Sequence, residues 1–76
     1  MEQLIREIRK IIKENRANLE ALSAKERAAW VMIWVLNSDA FMENRPESAL
    51  TEKDAALGYM NAVNNLVKRV LKEEGL

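Results

Sequence analysis

Hydrophobic and polar positions follow a helical spacing along this chain, and one stretch stands apart from the rest. Residues 28–36 form the longest apolar run and contain both tryptophans, Trp30 and Trp34. Because a helix turns by about 100° per residue, this run places apolar side chains on every side of a helix. A helix that is apolar all round is normally buried all round, so the rest of the chain is expected to pack around it.

The limits of this central helix are marked by capping and breaking residues. Ser23 is followed three positions later by Glu26, the pattern of a capping box, in which each side chain bonds the other residue's free backbone N–H. Pro46 prevents the helix from continuing, since the residue before a proline disfavours the helical region. We therefore predict a helix over residues 24–43.

A polar segment lies inside that range. Residues 37–39 are Asn-Ser-Asp, types whose side chains compete for backbone hydrogen bonds and favour caps and turns. A helix that continued through them would bring Phe41 into line with Trp30 and Trp34 and would avoid a long structureless loop. The prediction is a continuous helix with a kink near Asn37.

Two further amphipathic stretches flank the central one. In the first, seam positions step alternately by three and four residues, with one asparagine among them: Ile5, Ile8, Ile12, Asn15, Leu19 and Leu22. The last begins after Thr51, a predicted N-cap, and stops at Gly75. With a very short link at residues 22–23, the sequence predicts an all-α, compact antiparallel three-helix bundle. Its helices are expected at about residues 2–22, 24–43 and 52–73, in a single helical domain covering residues 1–76.

The central helix has more apolar surface than two neighbouring helices are expected to cover. One interpretation is that the bundle still hides all of it. The other is that a surplus face carrying Trp30, Trp34 and Phe41 contacts another protein, since aromatic side chains are frequent interface anchors and small cores are marginally stable alone. We expect a non-catalytic protein–protein interaction module that forms a homodimer, or that binds or inhibits one foreign protein.

A basic stripe on the first helix offers an alternative. It consists of five cations at helical spacing: Arg6, Arg9, Lys10, Lys13 and Arg16. Such a stripe is either a solvated face or a phosphate-binding surface, which would make the chain a small nucleic-acid-binding protein. Twelve basic and twelve acidic residues leave no net charge, so the chain as a whole is not attracted to nucleic acid.

Composition argues against several other functions. The chain has no histidine and no cysteine, which removes the commonest general base and the commonest soft metal ligands. We therefore expect no enzyme activity, no catalytic residues, no metal and no cofactor. A lack of cysteine fits a reducing, cytoplasmic location. The central apolar run is far shorter than the ~20 residues that span a membrane, so no membrane association is expected.

Two weaker hypotheses concern the last helix. A small-molecule pocket is conceivable between Trp30, Trp34 and Tyr59. In addition, Gly58 lies inside the last helix, where an interior glycine lowers helix stability by about 1 kcal/mol relative to alanine. The glycine is either an unoptimised surface position or a place where another backbone approaches closely.

Overall fold

The computed structural model describes residues 1–76, and it is all-α, as predicted, with no β-strand. Five α-helices and one 3-10 helix follow one another: α1 (Glu2–Glu14), α2 (Arg16–Glu20), α3 (Ala24–Leu36), α4 (Asp39–Glu43), the 3-10 helix (Glu47–Leu50) and α5 (Lys53–Glu73). The first two of the three predicted helices are therefore each divided in two.

The first division occurs at Asn15. Its backbone leaves the helical region (φ −123°, ψ 20°), and its side-chain amide donates a 2.9 Å hydrogen bond to the carbonyl of Ile11. An asparagine that bonds its own backbone in this way competes with the helical hydrogen-bond pattern. The prediction of one unbroken helix over residues 2–22 is wrong for this reason.

The second division lies at the polar segment predicted to cause a kink. The side-chain amide of Asn37 donates to the carbonyl of Ile33 over 2.8 Å at the end of α3. The Ser38 hydroxyl donates to the Val35 carbonyl over 2.6 Å and accepts from the backbone N–H of Phe41 over 3.2 Å. Ser38 thus closes one helix and caps the next. The kink near Asn37 is confirmed, but it is a full break, and no continuous helix covers residues 24–43.

The last helix begins and ends close to the predicted residues. Its N-cap is Glu52, without a side-chain bond, whereas Thr51, the predicted cap, closes the preceding 3-10 helix. At the other end, Gly75 adopts a φ of 80°. The Gly75 N–H donates to the carbonyl of Lys72 (3.1 Å), and the Leu76 N–H donates to the carbonyl of Leu71 (2.8 Å). This is the Schellman pattern, which satisfies two carbonyls at a helix end.

The core is built mainly by α1, α3 and α5, each of which contacts the other two, and α2 and α4 add further buried residues. Sixteen residues are buried, and none of them is charged. Nine apolar side chains are fully buried: Leu4, Ile8, Ile12, Leu19, Val31, Val35, Val63, Val67 and Val70. Only two of the nine belong to α3, although α3 is the most apolar of the helices.

Hydrogen bonds join the elements at both ends of the molecule. At one end, the Gln3 side chain donates to the Glu43 carboxylate (2.6 Å) and accepts from the Asn44 amide (3.3 Å). At the other end, the guanidinium of Arg27 donates to the main-chain carbonyls of Leu19 (2.6 Å) and Leu76 (3.0 Å). These contacts hold both ends of the α3–α4 segment against its neighbours.

None of the helices combines the length and the apolar composition that crossing a bilayer requires.

Candidate interaction surface

The start of α3 is marked by the predicted capping box, which is confirmed. The Ser23 N–H donates to the Glu26 carboxylate (3.0 Å), and the Glu26 N–H donates to the Ser23 hydroxyl (3.3 Å). These bonds from Ser23 hold the pKa of the Glu26 carboxyl below its ordinary value. A charged carboxylate here also interacts favourably with the positive end of the helix dipole.

Only one side of α3 is buried. Ala28, Val31 and Val35 face the core, while Ile33 and Trp34 keep 61% and 52% of their surface exposed. The neighbouring helices therefore cover only part of the central run, and they leave Ile33 and Trp34 open. An exposed isoleucine beside an exposed tryptophan is the kind of apolar surface that marks contact sites.

The two tryptophans lie together on this open side. Trp30 and Trp34 are one helical turn apart, and their ring centroids are separated by 5.5 Å with the planes tilted by 38°. This spacing is within the range of favourable aromatic pairs. Trp30 is half-buried and packs against the core. The inner ring therefore supports the outer one, and the pair is held in place. We call the side chains of Trp30, Ile33 and Trp34 the tryptophan face.

The tryptophan face carries no charge. The eleven residues 28–38, between Arg27 and Asp39, contain no acidic or basic side chain. Interface cores are depleted in charged residues and enriched in aromatic ones, and this surface has both properties.

Phe41 does not belong to this face, which corrects the sequence prediction. The ring of Phe41 is buried and lies 4.9 Å from the ring of Tyr59. The Tyr59 hydroxyl donates a 2.6 Å hydrogen bond to the Phe41 carbonyl. Because the chain breaks at residues 37–38, α4 starts in a new direction and its aromatic residue turns into the core. Ile33, which the sequence analysis did not select, takes the open position instead.

The hypothesis of a pocket between both tryptophans and Tyr59 is also wrong. Tyr59 is buried beside Phe41, and neither of the two concavities in the molecule is lined by a tryptophan. The smaller of them, of about 160 Å³, lies between α4, the 3-10 helix and α5. It is lined by Phe41, Arg45, Ala49, Ala56, Tyr59 and Met60.

Further exposed apolar side chains lie on α4, the 3-10 helix and α5, and the sequence analysis did not select them. They are Met42, Leu50, Leu57 and Met60. Leu50 could have been found from its position as an apolar residue in an otherwise polar linker. Leu57 lies next to Gly58 and is not among the buried residues of α5. Unlike the tryptophan face, which lies on one helix, these four side chains are spread over three elements.

The basic stripe is located as predicted on the outside of α1 and α2, where all five cations are exposed. Two of them are engaged with the end of α5. The Arg9 guanidinium lies 3.5 Å from the Glu73 carboxylate, and the Arg16 guanidinium donates to the Glu74 carbonyl over 2.9 Å. Arg6, Lys10 and Lys13 have no such partner.

The acidic residues do not assemble into a site. No three of the aspartate and glutamate side chains come close enough together to hold a metal ion.

Comparison with known proteins leaves the surface as the main source of functional information. No family model matches the chain, and no match is found among the curated proteins or among the solved structures.

Proposed function

We propose that this chain is a non-catalytic protein-interaction module, and that its first partner is a second copy of itself, bound through the tryptophan face. The observation that carries the proposal is the exposure of Trp34 and Ile33 on a helix whose other side is fully buried. Burying these side chains in a contact stabilises it by roughly 25 cal/mol per Å² of apolar surface.

The lack of charge on this face favours a second copy as the partner. In a two-fold symmetric dimer the same patch of both subunits meets itself, so any charge in the patch lies close to its own duplicate. Residues 28–38 contain no charge that would oppose such self-pairing. The zero net charge of the whole chain likewise leaves no long-range repulsion between copies.

The fold supplies a rigid support for such a contact. The bonds from Gln3 to Glu43 and from Arg27 to Leu19 support an antiparallel course of the first two segments. The Phe41–Tyr59 contact supports the same for the second and third. We take the chain as a single domain and an antiparallel three-helix bundle with interrupted helices, whose middle segment presents its outer side. The lack of cysteine agrees with the cytoplasmic location that the proposal assumes.

The test is the molar mass in solution, measured by light scattering and sedimentation over a range of concentrations. Ile33→Glu is compared with Leu50→Glu, a matched control because Ile33 and Leu50 are both 61% exposed. We expect a dimer for the wild type and for Leu50→Glu, and a monomer for Ile33→Glu. Trp34→Ala should raise the dissociation constant of the dimer tenfold or more, as the truncation of an interface anchor does. Arg9→Ala should leave it unchanged.

A wild type that stays monomeric at high concentration would exclude the homodimer. The tryptophan face would then be assigned to a foreign protein, with Trp34→Ala as the control in a binding experiment. Equal dissociation in Ile33→Glu and Leu50→Glu would place the contact elsewhere.

Nucleic-acid binding is the second candidate, and it rests on the three unpaired cations Arg6, Lys10 and Lys13. Phosphate contacts release counterions, so binding should weaken steeply as salt increases. A fluorescence-anisotropy titration with mixed-sequence DNA and RNA at low salt tests it. Absence of binding at low salt excludes it, and the triple replacement of these cations by glutamine is the control.

A further inference from the structure

The larger of the two concavities is an open groove of about 380 Å³ between α1 and α5. Six residues line it: Met1, Ile5, Ala62, Asn65, Leu66 and Arg69. Small-molecule sites in proteins are mostly apolar concavities of about 300–1,000 Å³ with a few polar groups. The groove falls within this range and has this composition. It is separate from the tryptophan face, since α3 contributes nothing to it.

The walls of the groove are fixed by the core. Leu66 is buried and Ile5 packs against the core cluster, so both hold their positions. Ala62 leaves the space open because its side chain is a single methyl group. One helical turn beyond Ile5 and Arg69, the ion pair of Arg9 with Glu73 joins α1 to α5.

The polar lining is cationic. Arg69 carries the one charged side chain in the lining, and no acidic residue belongs to the lining. The single ion pair of the molecule is the one between Arg9 and Glu73, so Arg69 has none. A guanidinium recognises a carboxylate through paired N–H donors, and Asn65 adds an amide donor beside it.

We propose that this groove binds one free single-chain anionic amphiphile, an alkyl carboxylate. The alkyl chain lies along Ile5, Ala62 and Leu66, and the carboxylate meets the guanidinium of Arg69 and the amide of Asn65. The apolar walls alone would accept any alkyl chain. The unpaired cation at their edge selects the anionic head over a neutral or a cationic one.

The experiment is a titration of the full chain with decanoate, decanol and decyltrimethylammonium, each below its micelle concentration, followed by ¹H–¹⁵N NMR. We expect decanoate to shift the amide resonances of Ala62, Asn65 and Leu66 and to leave those of Trp30 and Trp34 unchanged. Decanol should bind the same site more weakly, and the cationic probe most weakly of the three.

Two variants and a matched control test the site. Arg69→Gln should weaken decanoate binding by about five- to tenfold, because it removes a charge-assisted hydrogen bond, and should leave decanol binding unchanged. Arg6→Gln removes the same charge from α1 outside the groove. It should weaken decanoate binding only slightly, and added salt should abolish that small effect. Ala62→Leu should reduce binding of both decanoate and decanol, because it fills the groove at an exposed position.

Three results would overturn the proposal: shifts that map to α3, equal weakening by Arg69→Gln and Arg6→Gln, or no saturable shifts with decanoate. Retained binding in a folded Ala62→Leu protein would also contradict it.

Discussion

The hydroxyl of Tyr59 donates a 2.6 Å hydrogen bond to the main-chain carbonyl of Phe41, while the two rings lie 4.9 Å apart. This single relationship joins α5 to α4 and keeps Phe41 out of the tryptophan face. It also satisfies a buried tyrosine hydroxyl, which would otherwise lower stability.

Tyr59→Phe keeps the ring and removes the hydrogen bond. We expect the free energy of unfolding to fall by about 1–2 kcal/mol, because the Phe41 carbonyl loses its partner in a mostly buried position. Urea denaturation measures the free energy of unfolding, and Met60→Leu, at the exposed neighbour of Tyr59, is the control. The molar mass in solution should not change, and a change would place Tyr59 in the proposed contact.

The Tyr59 hydroxyl should also make the free energy of unfolding depend on pH. Burial raises the pKa of the Tyr59 hydroxyl above its ordinary value of 10.0, although Arg45 acts in the opposite direction. The folded protein therefore keeps this proton to higher pH than the unfolded chain does. The resulting stabilisation is complete below the unfolded pKa and is lost as pH rises through the folded pKa. The stability difference between wild type and Tyr59→Phe should therefore shrink as the pH rises above about 9, where the tyrosine of the unfolded chain begins to ionise. A constant difference would contradict the assignment.

Arg27→Met tests the link between the ends of α2, α3 and α5. The Arg27 guanidinium donates to the carbonyls of Leu19, Glu20 and Leu76. Losing these bonds should lower the free energy of unfolding by about 1.5–3 kcal/mol. Lys25→Met, at an exposed position of the same helix, should change it by less than about 0.5 kcal/mol. Faster hydrogen exchange at the Leu76 amide should accompany the loss in Arg27→Met alone.

The two glycines should respond to alanine in opposite ways. Gly58 lies inside α5 with open space where a Cβ would be, so Gly58→Ala should raise the free energy of unfolding by about 0.5–1 kcal/mol. Gly75 has a φ of 80°, and Gly75→Ala should lower it by about 1 kcal/mol. Thermal denaturation compares them. A destabilised or dissociated Gly58→Ala would show that another chain approaches α5 there.

The break between α3 and α4 depends on the Ser38 hydroxyl. Ser38→Ala removes the cap of α4 and should lower the free energy of unfolding by about 1 kcal/mol. Ser48→Ala, at an exposed serine whose side chain makes no hydrogen bond, is the control. Amide exchange at Phe41, whose N–H bonds Ser38, should increase in Ser38→Ala only. No difference between the two variants would mean that packing of Phe41 alone holds the break.

Much of the candidate interaction surface could be predicted from the sequence, because the apolar run of residues 28–36 has no polar side that would face solvent. That pattern identified Trp30 and Trp34. The pattern could not show which side of the helix is buried, because every side is apolar and the sequence has no apolar–polar periodicity there. Ile33 was missed for this reason, and its exposure follows from where α1 and α5 lie.

By itself, the sequence determined the helical class, the start of α3 at the Ser23–Glu26 capping box, the end of α5 at Gly75 and the position of the kink near Asn37. These depend on interactions within a few residues, which the local sequence contains. The tertiary structure alone decided that Phe41 is buried, that the tryptophan face is open, and that a groove forms between Ile5 and Leu66. Each of these depends on contacts between residues far apart in the chain, where the packing of whole helices outweighs local preference.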